Sequence, residues 1–421
     1  MNIYDKKVVV TGLGVLTPIG VGLTSFIQAL RNGKTNFSEV EFEHLGLQYQ
    51  YPGALINDFE YKSEIEKLPL KDDLKKKAKQ LRNLSVGTTH GIYTAMEAWL
   101  DSGLNNTNIN SEKVALITSG SNTQQGTLFK TQERYREKLQ FMNPTYGFGF
   151  FDTDIIGCLS ELLGIRGEGH SIGAASASGT MALIQGCRLI AGGDYDVVFV
   201  VAPSMELSIY EYQGFTALGA MATLKDDKNI SQLNNPFDKE HCGFVYGQNA
   251  GALILESENH AAKRKAKIKA AISGYGIVMD ANRNPNPSAI GEAKSMRKAL
   301  SMGNIFPEQI DYINTHGTAS VIGDQTEVEA IVSLGVQGVK TNATKGLIGH
   351  GISSAGIVEA IASILQMNHG FIHPNPNLKN PITNSLGLMK QKSETASINY
   401  ALSNSFGFGG INTSILLKNI K

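Results

Sequence analysis

The chain has 421 residues, 42% hydrophobic and 18% charged, with 38 Lys plus Arg against 38 Asp plus Glu. That length can bury a substantial core, as two or three average domains or as one large duplicated unit. The even charge balance excludes nucleic acid or an anionic membrane as a partner recruited by net charge. Its 3 cysteines, Cys158, Cys187 and Cys242, have no Cys-x-x-Cys spacing. This speaks against a disulfide framework or structural zinc and fits a reducing, cytoplasmic setting. The amino-terminal run through Val8 lacks a signal-peptide core, and no apolar stretch reaches the length of about 18 residues needed for a membrane span, so neither is expected.

Strand-sized apolar runs recur at Val8–Val10, Val114–Ile117, Val197–Val201, Ala252–Leu255 and Ile415–Leu417, with helix-like segments between many of them. This alternation predicts an α/β fold with helices on the faces of a sheet. The first run leads into Thr11-Gly-Leu-Gly14. Val15, Leu16 and Thr17 then stand where a dinucleotide-binding turn needs its third glycine, so a structural turn is predicted. Leu74–Leu84 reads as a helix carrying Lys75, Lys76, Lys77, Lys79 and Arg82, either a docking face for an acidic protein or a solvated surface.

Ser176 follows a short strand-like segment and precedes a helix, Ser178 to about Ile190, that stops at Gly192-Gly193. A serine there is either an N-cap or a residue beside unpaired N–H groups that can hold an oxyanion. Its context, Ala174-Ala-Ser-Ala-Ser178, lacks the Gly-x-Ser-x-Gly of an α/β-hydrolase. Ser176-Ala-Ser-Gly179 and Ser353-Ser-Ala-Gly356 each open an apolar helical pattern. This suggests a duplicated half, with the seam near residue 260 in the basic stretch Ala261–Lys269.

His316 ends the strand-like Ile310–His316, and His350 closes Thr344-Lys-Gly-Leu-Ile-Gly-His350, just after Lys345 and ahead of a helix. Either alone reads more readily as structural than as catalytic; two in glycine-flanked loops, one with a lysine close before it, shift the balance toward a site. No His-x-x-x-His or carboxylate triad completes a metal set. Asn404-Ser-Phe-Gly-Phe-Gly-Gly410 is too glycine-rich for an ordinary strand. It reads as a loop gated by Phe406 and Phe408 or as a tight bend filled by them.

Taken in order, Val8–Gly14, Asn235-Pro-Phe-Asp-Lys-Glu240, Asn314-Thr-His-Gly-Thr318, Thr344–His350 and Asn404–Gly410 resemble the β-ketoacyl-ACP synthases of fatty-acid and polyketide synthesis, over almost the whole chain. The resemblance implies a thiolase fold with duplicated halves in αβαβα layers: residues 1–260 carrying Ser176 and residues 261–421 carrying His316 and His350. It also implies a homodimer and a Cys-His-His site. Ser176 holds the cysteine position, His316 and His350 are the histidines, and Lys345 and Glu327 support them. Backbone N–H groups of Ser176 and Phe408 would form an oxyanion hole. Thr318 and Ser320 would meet phosphopantetheine, which arrives on a partner acyl carrier protein (ACP); no resident cofactor is implied.

Serine at 176 decides the expected function. A thiol of pKa about 8.5 needs only the roughly 1.5 units that a helix terminus worth about 2 kcal/mol can supply, whereas an alcohol is far too weak an acid. Condensation should therefore fail or be very slow. Loss of CO₂ from a malonyl thioester, with the enolate held by two histidines and the carboxylate poorly solvated near Phe406 and Phe408, needs no cysteine. This combination is similar to the decarboxylating ketosynthase-like enzymes of polyketide β-branching, which convert malonyl-ACP to acetyl-ACP. The alternatives are a chain-length-factor-like partner of a ketosynthase and a Cys-to-Ser variant of a condensing enzyme. Condensing enzymes also line their acyl channel with small apolar residues where Ser121-Asn-Thr-Gln-Gln125 stands here, so a channel unsuited to fatty chains is expected.

Overall fold

A computed structural model describes residues 7–224, 229–283 and 286–420; residues 1–6 of the amino-terminal run lie outside the described residues. The strands that carry the architecture are β1 (Val8–Thr17), β2 (Val114–Ser119), β3 (Gly169–Ile172), β4 (Val197–Ala202) and β5 (Ala250–Ser257), then β6 (Ala270–Met279), β7 (Tyr312–Asn314), β8 (Lys340–Asn342), β9 (Tyr400–Gly407) and β10 (Ile411–Lys418). Their order is β1-β5-β4-β2-β3 in the first set and β6-β10-β9-β7-β8 in the second. The same connectivity therefore occurs twice, with two antiparallel pairings followed by two parallel ones. The copies meet where β1 pairs antiparallel with β6, from Val8–Ile272 to Val10–Ala270.

The long helices repeat as well. Helix α1 (Val86–Ser102) follows β1, and α2 (Ser178–Gly192) follows β3. Helix α3 (Ala289–Gly303) follows β6, and α4 (Ala355–His369) follows β8. Helices α2 and α4 pack together between the two halves of the sheet, while α1 and α3 cover its outer faces. Both faces are thus buried, and strand β4 divides its side chains between them. Val198 and Val200 join the central core with Leu183 and Ile357; Val197, Phe199 and Val201 join the outer core with Ile92 and Met96.

Glycines set the closest approaches. A Cβ at Gly12 or Gly14 would lie 2.2 Å from Ala98 O or 2.0 Å from Thr94 O, and one at Gly274 or Gly276 would lie 2.2 Å from Ala299 O or 1.9 Å from Ser295 O. The segment expected to form a turn after Val10 is therefore strand to Thr17. Its glycines let α1 press on the sheet, and the chain turns only at Pro18-Ile19. In the centre, Gly179 and Gly356 let the starts of α2 and α4 cross, since a Cβ on Gly356 would sit 2.7 Å from Thr180 N.

Two other expectations need correction. The basic helix is Asp72–Gln80, not Leu74–Leu84: Leu81 is extended, and Ser85 caps α1 through its side chain. Asn404–Gly407 is the end of β9, and only Phe408–Gly410 form the hairpin turn into β10. Glycine is needed at 407 because a Cβ there would lie 2.6 Å from Ala174 O, while Gly409 and Gly410 have φ of 90° and 72°. Among the described residues no helix is long and apolar enough to cross a membrane.

Candidate active site

The loops after β3, β7, β8 and β9 converge on one cavity of about 730 Å³, lined by Ser176, His316, His350, Thr318, Ser320, Phe406 and Phe408 together with Glu327. Ser176 is the middle residue of a 3₁₀ turn, Ala175–Ala177, that feeds α2. Ala175 has φ 48°, in the left-handed region, so this junction is a strained elbow despite lacking a hydrolase motif. The second copy repeats it: Ile352 has φ 53° and opens the turn Ile352–Ser354 into α4.

That second elbow fixes one histidine. Ile352 N–H donates to His350 Nδ1 at 3.2 Å, so Nδ1 is an acceptor and the proton of the neutral ring sits on Nε2. His350 Nε2 lies 2.8 Å from Ser176 Oγ. The imidazole is therefore a donor to the serine oxygen and has no free lone pair with which to take its proton.

His316 is fixed by the same logic with a different donor. Lys345 Nζ donates to His316 Nδ1 at 3.4 Å and to His316 O at 2.6 Å, leaving Nε2 to carry the ring proton. Lys345 is itself held by a buried ion pair with Glu359, each about 1% exposed. The two imidazoles stand perpendicular, 87° apart in plane, with centroids 5.6 Å apart. Phe406 lies 5.6 Å from His316, and Phe244 lies 5.3 Å from His350. Burial, and then the Lys345 ammonium, pull both histidines well below the usual 6.5, so both are neutral at pH 7.

Carboxylates hold the His316 loop by its backbone. Glu327 accepts the N–H groups of His316 and Gly317 at 2.8 Å each and the Asn404 amide at 3.1 Å; burial nevertheless pushes its carboxyl up to about 7. Asp324 accepts from Thr318 N, Ala319 N and Phe237 N, tying Asn235–Glu240 behind the loop. Thr318 donates to Ser320 Oγ at 3.1 Å, and both residues line the cavity. Phe406 is buried in the wall, whereas Phe408 is 40% exposed in the hairpin turn that packs on the Ser176 elbow through Gly407.

The expected site residues are thus gathered in one place, and none of the three cysteines lines the cavity. The sequence reading missed the Ile352 N–H, Glu359, and the holding roles of Asp324 and Asn404, because each acts through a tertiary contact. Of the polar run, Ser121, Asn122 and Gln125 line the cavity. Thr123 and Gln124 turn away to bond Asp152 and Asp154 within the same chain. The basic face is smaller than expected, because Lys75 and Lys79 pair with Glu66 while Lys76, Lys77 and Arg82 are exposed.

The repeated sheet and the histidine pair define a condensing-enzyme scaffold, and comparison with known families agrees. Residues 5–261 match the beta-ketoacyl synthase N-terminal domain and residues 269–379 its C-terminal domain; the chain belongs to the β-ketoacyl synthase family and has its thiolase fold. Among curated relatives, the polyketide biosynthesis malonyl-ACP decarboxylase PksF of Bacillus subtilis is 38% identical over 99% of this chain and 97% of its own length. The 3-oxoacyl-[acyl-carrier-protein] synthase 2 of Vibrio harveyi is 31% identical over 99% of both chains. Among solved structures, the ishigamide ketosynthase/chain length factor superposes with a TM-score of 0.85 at 26% identity, covering 99% of this chain and 100% of that one.

Proposed function

We propose that the protein decarboxylates malonyl-ACP to acetyl-ACP for polyketide biosynthesis, without forming an acyl-enzyme. The observation that carries this reading is the fixed tautomer of both histidines: each Nδ1 accepts from a backbone or ammonium donor, so each Nε2 offers a proton to the cavity. A thioester oxygen placed between them accepts two hydrogen bonds, which strengthen as CO₂ leaves and negative charge moves onto it. The same tautomer leaves Ser176 without a base. The phenyl rings beside the histidines keep the departing carboxylate poorly hydrated.

Thr318 and Ser320 bind the phosphopantetheine arm, and N–H groups of Ser176 and Phe408 assist at the oxyanion. The enzyme is a cytoplasmic homodimer that needs no cofactor of its own, since phosphopantetheine comes with the carrier. Lys76, Lys77 and Arg82 offer a docking face to the acidic ACP. The name and length match of the Bacillus relative support this reading. A chain-length-factor-like role is the competing one, and the intact donor pair weighs against it. Intact-protein mass spectrometry of the purified chain with malonyl-ACP tests the proposal. Acetyl-ACP should accumulate with no mass shift on the enzyme; a kinetically competent acyl adduct on Ser176, or dependence on a cysteine-bearing partner, would sink it.

Chain length gives a separate check. Ser121, Asn122 and Gln125 line the cavity with Ser353, whose hydroxyl is buried without a partner. A fatty chain gains about 0.8 kcal/mol per methylene in apolar surroundings, and desolvated amides and hydroxyls offset that gain. Dodecanoyl-ACP should therefore inhibit no better than acetyl-ACP in competition with malonyl-ACP. Markedly stronger inhibition by the long chain would show an open apolar channel.

A further inference from the structure

Decarboxylation leaves an electron pair on C2 of the malonyl unit, and acetyl-ACP appears only after that carbon gains a proton. The groups placed at the substrate oxygen do not supply one: both imidazoles give their N–H to oxygen, and the Ser176 hydroxyl is much too weak an acid. Of the acids that line the same cavity, Glu211, Asp280, Asp324 and Glu327 accept hydrogen bonds from the protein, which leaves Glu292. Glu292 lies in the first turn of α3, is 1% exposed, and lines the cavity that Ser176, His316 and His350 share. Its Oε2 is buried with no hydrogen-bond partner. The charged groups that act on it are carboxylates, Glu327, Asp280, Asp324 and Glu329. Burial first, and these neighbours second, hold the Glu292 carboxyl well above the ordinary range, which favours its protonated form.

We propose that Glu292 is the acid that protonates C2 of the enolate, directly or through one intervening water. The inference rests on the decarboxylase reading above. In the step, the bond from C2 to the carboxyl carbon breaks, CO₂ leaves, and the electron pair enters the enolate. The Glu292 O–H bond then breaks as the C2–H bond forms, giving acetyl-ACP and a Glu292 carboxylate. That anion sits in the first turn of α3, where the positive end of the helix favours it, and takes a proton from water before the next turnover.

The test measures acetyl-ACP formation over a range of malonyl-ACP concentrations by wild type, Glu292→Gln and Glu292→Ala, the last with and without added formate. Loss of a general acid costs on the order of 10²-fold or more, so Glu292→Gln should be slowed by that factor with KM for malonyl-ACP unchanged. Formate should restore part of the Glu292→Ala rate, which a merely unfolded variant would not allow. Wild-type speed in Glu292→Gln overturns the proposal, and so does a deficit in Glu292→Ala that formate leaves untouched. Either result leaves the decarboxylase reading standing, whereas a wild-type enzyme that releases no CO₂ from malonyl-ACP removes both.

Discussion

His316→Ala and His350→Ala should each lower the conversion of malonyl-ACP to acetyl-ACP by roughly 10²-fold or more, the usual scale for losing one oxyanion donor in a dry site. Each ring is oriented by a contact that the substitution leaves in place, the Ile352 N–H for His350 and the Lys345 ammonium for His316. The loss therefore reports the missing Nε2–H and should appear in kcat more than in KM. Ser176→Ala should cost less, because it removes only the oxygen that accepts from His350. The pH profile should show no histidine inflection near 6.5: burial and Lys345 push both rings below that value, so they stay neutral as the pH falls through it. A dead serine variant beside active histidine variants would reverse the assigned roles.

Much of the site was legible because its chemistry is carried by short runs whose residue types are unusual for their place. His316 and His350 stand out in glycine-flanked loops, and Lys345 stands close before His350 in sequence. What stayed hidden acts across the fold. Glu359 meets Lys345 one helix later, and the decisive donor to His350 is a backbone N–H that no side-chain pattern announces. The duplication was visible at the helix starts after Ser176 and Ser353, yet a stronger signal went unread. Gly12-x-Gly14 recurs as Gly274-x-Gly276, each pair following a bulge and facing a helix. Read locally, the first pair looks like a turn. Only the helix pressed onto the strand explains why it remains extended, and that is a tertiary fact.

Lys345→Met should be the most damaging single change to stability among the site residues. Lys345 and Glu359 are each about 1% exposed, and removing one partner of such a pair leaves the other charge without compensation, typically at about 3–5 kcal/mol. Burial already drives the Glu359 carboxyl upward while Lys345 pulls it back down, so loss of the lysine leaves only the upward push. An acid whose folded pKa lies above its unfolded value binds more protons when folded, and its cost grows as the pH rises between those two values. The stability gap between Lys345→Met and wild type should therefore narrow as the pH falls toward the ordinary carboxyl range. Lys345→Met/Glu359→Gln should recover part of the loss at pH 7, because no buried charge remains. Activity should stay low in both, since His316 Nδ1 has lost the donor that fixes its tautomer. Urea titrations of the three proteins at two pH values decide the matter. A single variant as stable as wild type, or a double variant no better than the single, would show that the pair carries little of the fold's stability.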